Sequence, residues 1–215
     1  MKTKKFFAEQ VILALSNEWP HIDTKLDERE VLLRLDATVN ELAAKNFFEN
    51  WKISGAKVDE QFITTFEDVA VVDQENGHPS YFVFPANYAA LPKNGGIAQI
   101  YPMRWLSVFQ PPVSIISHDD YRRYLSNPAA NMQGRLCGYP KNGGQRFYFT
   151  SCDVGKKYGP MGVSLVIRDS SQIADDAPYG IPADKENFLI ATVVAWYRAK
   201  REVPADVVRD NKDQA

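Results

Sequence analysis

The sequence predicts an α+β fold: a small helical bundle of two N-terminal helices plus a C-terminal helix, with an inserted antiparallel β-rich region and an extended C-terminal tail. Three observations predict it. Near both ends, apolar residues recur at steps of three and four, the pattern of amphipathic helices. Over residues 58–168 the apolar period falls to two in several short runs, as strands require. Residues 204–215 are mostly polar or charged and offer no periodic face to bury.

The first helix, over 4–18, is marked by Phe6, Phe7, Val11, Ile12, Leu15 and Trp19, and ends before Pro20. The second, over 27–49, opens at Asp27, whose carboxylate can accept from the free amides of the first turn. Glu30 stands three residues on, as in a capping box. Its buried stripe is Val31, Leu32, Leu35, Val39, Leu42 and Ala43, with a stop near Phe47 or Phe48. Phe62 to Val72 reads as a strand, the Asn76-Gly77 turn follows, and Tyr81 to Phe84 reads as the returning strand. A second turn at Lys93-Asn-Gly-Gly96 leads into a strand over 97–101. Pro111-Pro112 breaks the stretch after Trp105, and a short helix over 118–125 is capped by Ser117. Arg135 to Tyr139 and Gln145 to Thr150 flank a third turn. Residues 153–161 read as a polar loop, Val163 to Ile167 as the last strand, and 184–201 as the final helix with Phe188, Leu189, Thr192, Trp196 and Ala199 on one face. Residues 1–203 then form one α+β domain, the final helix closing on the N-terminal pair. The pentapeptide Pro92-Lys-Asn-Gly-Gly96 recurs as Pro140-Lys-Asn-Gly-Gly144, but its flanks do not match, which points to a reused turn rather than a repeated unit.

The totals exclude several classes. Hydrophobic residues make up 45% and charged residues 24%, so the chain can bury a core and is no disordered polyelectrolyte. A net charge of -2 is not the footprint of a protein that neutralises many phosphates. Cys137 and Cys152 are too few for a disulfide framework and read as reduced, buried or inert thiols, although the sequence does not forbid their pairing. The N-terminal apolar stretch is broken by Glu9 and Gln10 and lacks a small-residue cleavage site. No run is apolar enough to span a membrane, so the expectation is a protein made and kept in a cytoplasm, or leaving it by lysis.

No catalytic, cofactor or metal site is predicted. Gly162-Val-Ser164 lacks the second glycine of a nucleophile elbow. His21, His78 and His118 are too far apart for ligand spacing. Gly155-Lys-Lys-Tyr-Gly159 resembles a phosphate cradle but is followed by proline and a strand, not by Lys-Ser/Thr and a helix. Asp119-Asp120 and Asp175-Asp176 are chain neighbours, which rarely aim at one substrate. Aromatic residues in irregular segments stand out instead: Trp51, Tyr88, Trp105, Phe109, Tyr121, Tyr124, Tyr158 and Tyr179. Such residues either anchor interfaces or plug the rim of a core.

Leu26-Asp-Glu-Arg-Glu-Val-Leu-Leu-Arg-Leu-Asp-Ala-Thr-Val-Asn-Glu-Leu42 leads into Phe47-Phe-Glu-Asn-Trp51. Then follow Phe62-Ile-Thr-Thr-Phe-Glu-Asp-Val-Ala-Val71 and the run Tyr81 to Pro102. This order, with the final helix and Pro204-Ala-Asp-Val-Val-Arg-Asp-Asn211, resembles virion structural proteins of tailed phages of Bacteroidota, the crAss-like group especially. The likeness spans most of the chain and is loose over 103–180.

The resemblance implies a head-to-tail connector subunit, in the neck of the virion and in the host cytoplasm during assembly. It implies no enzyme activity and no cofactor. Its partners would be copies of itself in a ring of about twelve-fold symmetry, the portal protein and further neck or tail proteins. DNA would pass through the ring without sequence-specific binding, and no membrane is involved. Candidate subunit and partner contacts are Trp51, Asn76, Asn94, Trp105, Phe109, Asn142 and Tyr158, with Pro204, Val207, Val208 and Arg209 in a tail that would dock on the portal. The alternatives left open are another minor virion protein, of the tail or capsid, and a small carbohydrate-acting hydrolase.

Overall fold

The computed structural model describes residues 2–18, 27–53, 57–75, 77–104, 111–117, 120–121, 136–141, 143, 145–168 and 179–202. Along the chain the elements are α1 (Lys4–Glu18), α2 (Glu28–Ile53), β1 (Ile63–Val69), β2 (Tyr81–Val83), β3 (Ile97–Pro102), β4 (Ser114–Ile115), β5 (Cys137–Lys141), β6 (Arg146–Phe149), α3 (Val154–Tyr158), β7 (Met161–Val166) and α4 (Glu186–Glu202). The fold is mixed α+β, with helices at both ends and a β region between them. The chain divides into two compact units, Met1–Val39 with Asp175–Ala215, and Asn40–Ala174. No described helix is long and apolar enough to cross a membrane.

The first unit is helical. Phe7, Val11 and Leu15 of α1 bury against Val31 and Leu35 of α2 and Leu189, Val193, Val194 and Tyr197 of α4. Burial of such side chains contributes roughly 1.5–3 kcal/mol each. Asp27 caps α2 as its sequence predicts: its Oδ1 accepts from the Arg29 N–H at 2.9 Å. Glu30 does not close a capping box, because its carboxylate meets the Lys200 ammonium at 2.7 Å instead. The buried face of α4 departs in part from the predicted one. Leu189 is buried and Trp196 packs partly buried against the core as predicted, but Val193, Val194 and Tyr197 point inward while Phe188 is 55% exposed and Ala199 is exposed. The two stripes are offset by one residue, about 100° around the helix, and the pair Val193-Val194 tips the balance towards the inner one. Tyr179 is buried beside Phe7, and its hydroxyl donates to Asp36 Oδ1 at 2.6 Å. Burial, then the Asp36 charge and this bond, push the phenol well above its ordinary value of 10.0.

The second unit holds two sheets, one in the order β1-β7-β3 and one in the order β2-β6-β5-β4. β1 and β2 are not a hairpin. β1 pairs antiparallel with β7, β2 pairs with β6, and the two segments touch only through the Val72–Tyr81 bridge. The reason is aromatic packing: Phe82 stacks on Phe147 at 5.3 Å and tilts against Phe149 at 5.9 Å, so β2 joins the β5–β6 hairpin. The hairpin itself is as predicted, with Lys141 opposite Arg146. β4 and β5 run parallel, a departure from the all-antiparallel expectation, which the long intervening segment allows. Pro140 sits in β5 beyond the reach of β4, which pairs no further than Gly138, so its missing N–H breaks no bond there.

Two segments read as irregular are helical. α2 continues past Phe48 to Ile53, held by edge-to-face contact of Phe47 with Trp51 at 5.4 Å and by Asn46 and Asn50, whose amides donate to Asp59 at 2.6 and 2.9 Å. Residues 154–158 form α3. At the predicted cap near 118, the Ser117 hydroxyl accepts from the Asp120 N–H at 3.0 Å and donates to its carboxylate at 2.6 Å. The thiols differ in setting: Cys137 is buried in β5 and Cys152 is exposed.

β7 is buried along its whole length. Met161, Val163 and Leu165 enter the phenylalanine cluster. On its other face Ser164 bonds Thr65 at 2.9 Å, and Gly162 leaves room for the Tyr101 ring. The Ala89 N–H donates to the Val166 carbonyl at 2.8 Å and the Val166 N–H to the Gly96 carbonyl at 2.9 Å. This brings the Ala89 carbonyl against Gly96, where a Cβ would overlap its oxygen.

Gly96→Ala is therefore expected to destabilise the protein by about 1–3 kcal/mol. Gly77→Asn, at an open left-handed position, should change it by less than about 0.5 kcal/mol. Urea midpoints of both variants check the pair. Tyr179→Phe should cost about 1 kcal/mol. Because the folded phenol titrates above 10.0, its contribution is complete below that pH and is lost as pH rises through the folded value. Alkaline melts of the variant should then show a shallower loss than wild type.

Candidate functional site

The two copies of Pro-Lys-Asn-Gly-Gly fold differently yet meet at one place. In the first, Lys93 and Asn94 both take left-handed φ, 53° and 58°, and the Gly95 N–H donates to the Pro92 carbonyl at 3.0 Å. The predicted turn at 93–96 is present, and Gly95 lies against the buried Phe47 ring, where no side chain fits. In the second copy, Pro140 and Lys141 end β5, and Gly143 takes φ 66°. Pro92 and Asn94 from one copy and Pro140, Lys141 and Gly143 from the other line a single open cleft of about 830 Å³. Tyr88, Asn87 and Arg168 complete it.

Arg168 is held by its backbone. Its N–H donates to the Asn87 carbonyl at 2.9 Å, and its carbonyl accepts from the Asn40 amide at 2.8 Å. Tyr88 packs on Phe84 at 4.9 Å, and burial raises its phenol above the ordinary range, so it stays neutral at physiological pH. The described lining residues carry two cations, Lys141 and Arg168, and no carboxylate. Lys93 turns away from this cleft and sets its ammonium 4.5 Å from the Trp51 ring centroid.

Of the predicted contact residues, Trp51 lies on the last turn of α2, 37% exposed, beside Phe48 at 53%. Asn94 is half-buried in the cleft. Tyr158 is not at the surface: it is 8% exposed and belongs to the core under α3. Tyr179 is likewise buried. Asn76, Trp105, Phe109, Asn142, Pro204, Val207, Val208 and Arg209 lie outside the described residues. So do His21, His118, Asp119, Tyr124, Asp175 and Asp176. Among the described residues, no three His, Cys, Asp or Glu side chains gather as metal ligands.

The glycine-lysine segment at 155–159 forms the helix α3, and its first amides are already taken. The Asp73 carboxylate accepts from the N–H of Gly155 at 2.9 Å, the N–H of Lys156 at 2.8 Å and the hydroxyl of the fully buried Ser80 at 2.6 Å. The Ser80 oxygen in turn accepts from the Val154 N–H at 3.1 Å. Gly155 is needed here because a Cβ would crowd Asp73 and the Val71 carbonyl. A side chain of the protein thus fills the place where a phosphate would bind. Partial burial pushes Asp73 up, but the Ser80 and backbone bonds and the Lys156 charge outweigh it, leaving its pKa below 3.8.

Sequence reasoning missed Asp73, Ser80, Asn87 and Arg168, none of which falls in a spaced motif. The pentapeptide was the one available signal for the cleft. No family model matches the chain, and no curated protein matches it.

Asp73→Asn should weaken the fold by about 1–3 kcal/mol at neutral pH, since a charge-assisted cap becomes a neutral one and Ser80 stays buried. A carboxylate with a lowered pKa stabilises fully above its unfolded value and loses that contribution as pH falls below 3.8. Stability measured from pH 7 down to about 2 should therefore fall more steeply in wild type than in the variant.

Proposed function

We propose that this chain is a structural subunit of a phage head-to-tail connector, forming a ring below the portal that lines part of the DNA passage. Its place in the virion is the neck, and its partners are other copies of itself, the portal and adjoining neck or tail proteins. The resemblance of the segment order over 26–51, 62–71 and 81–102 to virion proteins of crAss-like phages favours this reading.

The observation that carries it at residue level is the outer face of α2. Phe48, 53% exposed, and Trp51 stand side by side on the last turns of the helix. Lys45, Glu49 and Lys52 border a shallow depression of about 460 Å³ beside Phe48. An apolar centre with a charged rim is the pattern of a subunit contact. A closed ring needs each copy to offer two unlike faces. The neighbouring copy is the occupant this reading assigns to the Phe48 face.

Sedimentation of a lysate from a culture producing the phage tests the reading, with mass spectrometry of each fraction. The chain should travel with particles that contain portal and capsid proteins. Its presence only as a light, free species beside mature particles would reject the connector role. Phe48→Glu, a surface change expected to shift monomer stability by no more than about 0.5 kcal/mol, should remove the chain from those particles or abolish its rings.

A further inference from the structure

We propose that the cleft lined by both Pro-Lys-Asn-Gly-Gly segments binds a small organic oxyanion, with a phosphate or carboxylate head on a flat apolar body. This assignment is independent of the connector reading and concerns a different surface of the chain.

The protein carries a net charge of -2, so a cleft whose described lining holds two cations and no acid departs from the average surface. The Arg168 guanidinium is a planar fork of donors suited to two oxygens at once, and Lys141 adds a compact charge. Among the described residues neither meets a carboxylate; the Lys141 ammonium rests 5.8 Å from the Tyr148 ring centroid, a contact an incoming anion can keep or exchange. Bonds to Asn87 and Asn40 fix the Arg168 backbone on both sides, so the root of the fork is set before a ligand arrives.

Shape and polarity define the rest of the ligand. Pro92, Pro140 and Leu91 give the cleft rigid apolar surface, and the neutral Tyr88 adds a half-buried ring. These suit a flat apolar body, while Asn94 offers a side-chain amide within the same cleft. A volume of about 830 Å³ falls within the range of small-molecule sites, roughly 300–1,000 Å³. Inorganic phosphate alone would leave most of it empty. The two turns also explain why one short sequence occurs twice without a repeated fold around it. The first presents Pro92 and Asn94, and the second Pro140, Lys141 and Gly143, to the same space.

The test is an amide-shift NMR titration of the full chain at low salt with four probes: phenyl phosphate, benzoate, inorganic phosphate and phenol. The expected result is movement of the Asn87, Asn94, Gly143 and Arg168 amides. Phenyl phosphate or benzoate should bind at least about tenfold tighter than inorganic phosphate or phenol. Preference for one of the two aromatic anions identifies the head group. Arg168→Gln and Lys141→Gln should each weaken binding by about tenfold with an unchanged thermal midpoint. Arg168→Lys, which keeps the charge and removes the fork, should fall between wild type and Arg168→Gln. Absence of shifts at these amides at about 10 mM probe, shifts confined to the Phe48 face, or equal affinity in all variants would overturn the assignment.

Discussion

The β-rich unit depends on a strand with no free face and no free edge. β7 is flanked by β1 and β3, and all six of its residues are buried. Such a strand can form only when both neighbours and both covering layers arrive together, because any unpaired amide inside would cost several kilocalories. Its composition reflects this. Large side chains at Met161, Val163 and Leu165 face the phenylalanine cluster, while Gly162 and Ser164 keep the other face thin enough for Tyr101 and Thr65 to lie across it. The backbone of Val166 then ties in the turn before β3, through Gly96, and the segment after β2, through Ala89.

That tie positions the cleft. The Ala89–Val166–Gly96 bonds bring the first pentapeptide and residues 87–91 to the end of β7, where Arg168 emerges. The second pentapeptide comes from the other sheet, at the tip of the β5–β6 hairpin. A surface assembled from two sheets and two turns keeps its shape only as well as those backbone bonds hold, and Gly95 and Gly96 sit where a side chain would be crowded. The charged groups of the cleft stand on that frame: Lys141 ends β5 with its ammonium 5.8 Å from the Tyr148 ring centroid, and Arg168 follows β7, held through its backbone.

Asp73 shows the opposite use of a charge. Its three accepted bonds join the segment after β1, the residue before β2 and the start of α3. A single carboxylate satisfies amides that would otherwise be left bare at a helix start. The short helix α3 has too few turns to stand on propensity alone, so it exists because a remote side chain caps it. The lowered pKa of Asp73 belongs to the β-rich unit and the raised one of Tyr179 to the helical unit, so the acid and alkaline responses expected of these two groups belong to different units.

The helices at both ends, the Asp27 cap, the Ser117 cap and the β5–β6 hairpin were legible in the sequence because each is decided within a few residues, by periodicity, capping chemistry or a tight turn. The pairing of β1 with β7 rather than β2 was not, since strands far apart in sequence alternate in the same way and only the phenylalanine packing selects the partner. The inward stripe of α4 was ambiguous for a related reason: two stripes one residue apart are both apolar, and the facing helices choose between them. α3 was hidden because its cap, Asp73, lies some eighty residues upstream. The cleft was hidden for the same kind of reason. By itself the sequence determined that one turn pentapeptide occurs twice; tertiary structure alone decided that both copies line one cavity with Arg168, because long-range backbone bonds, not local preferences, bring them there.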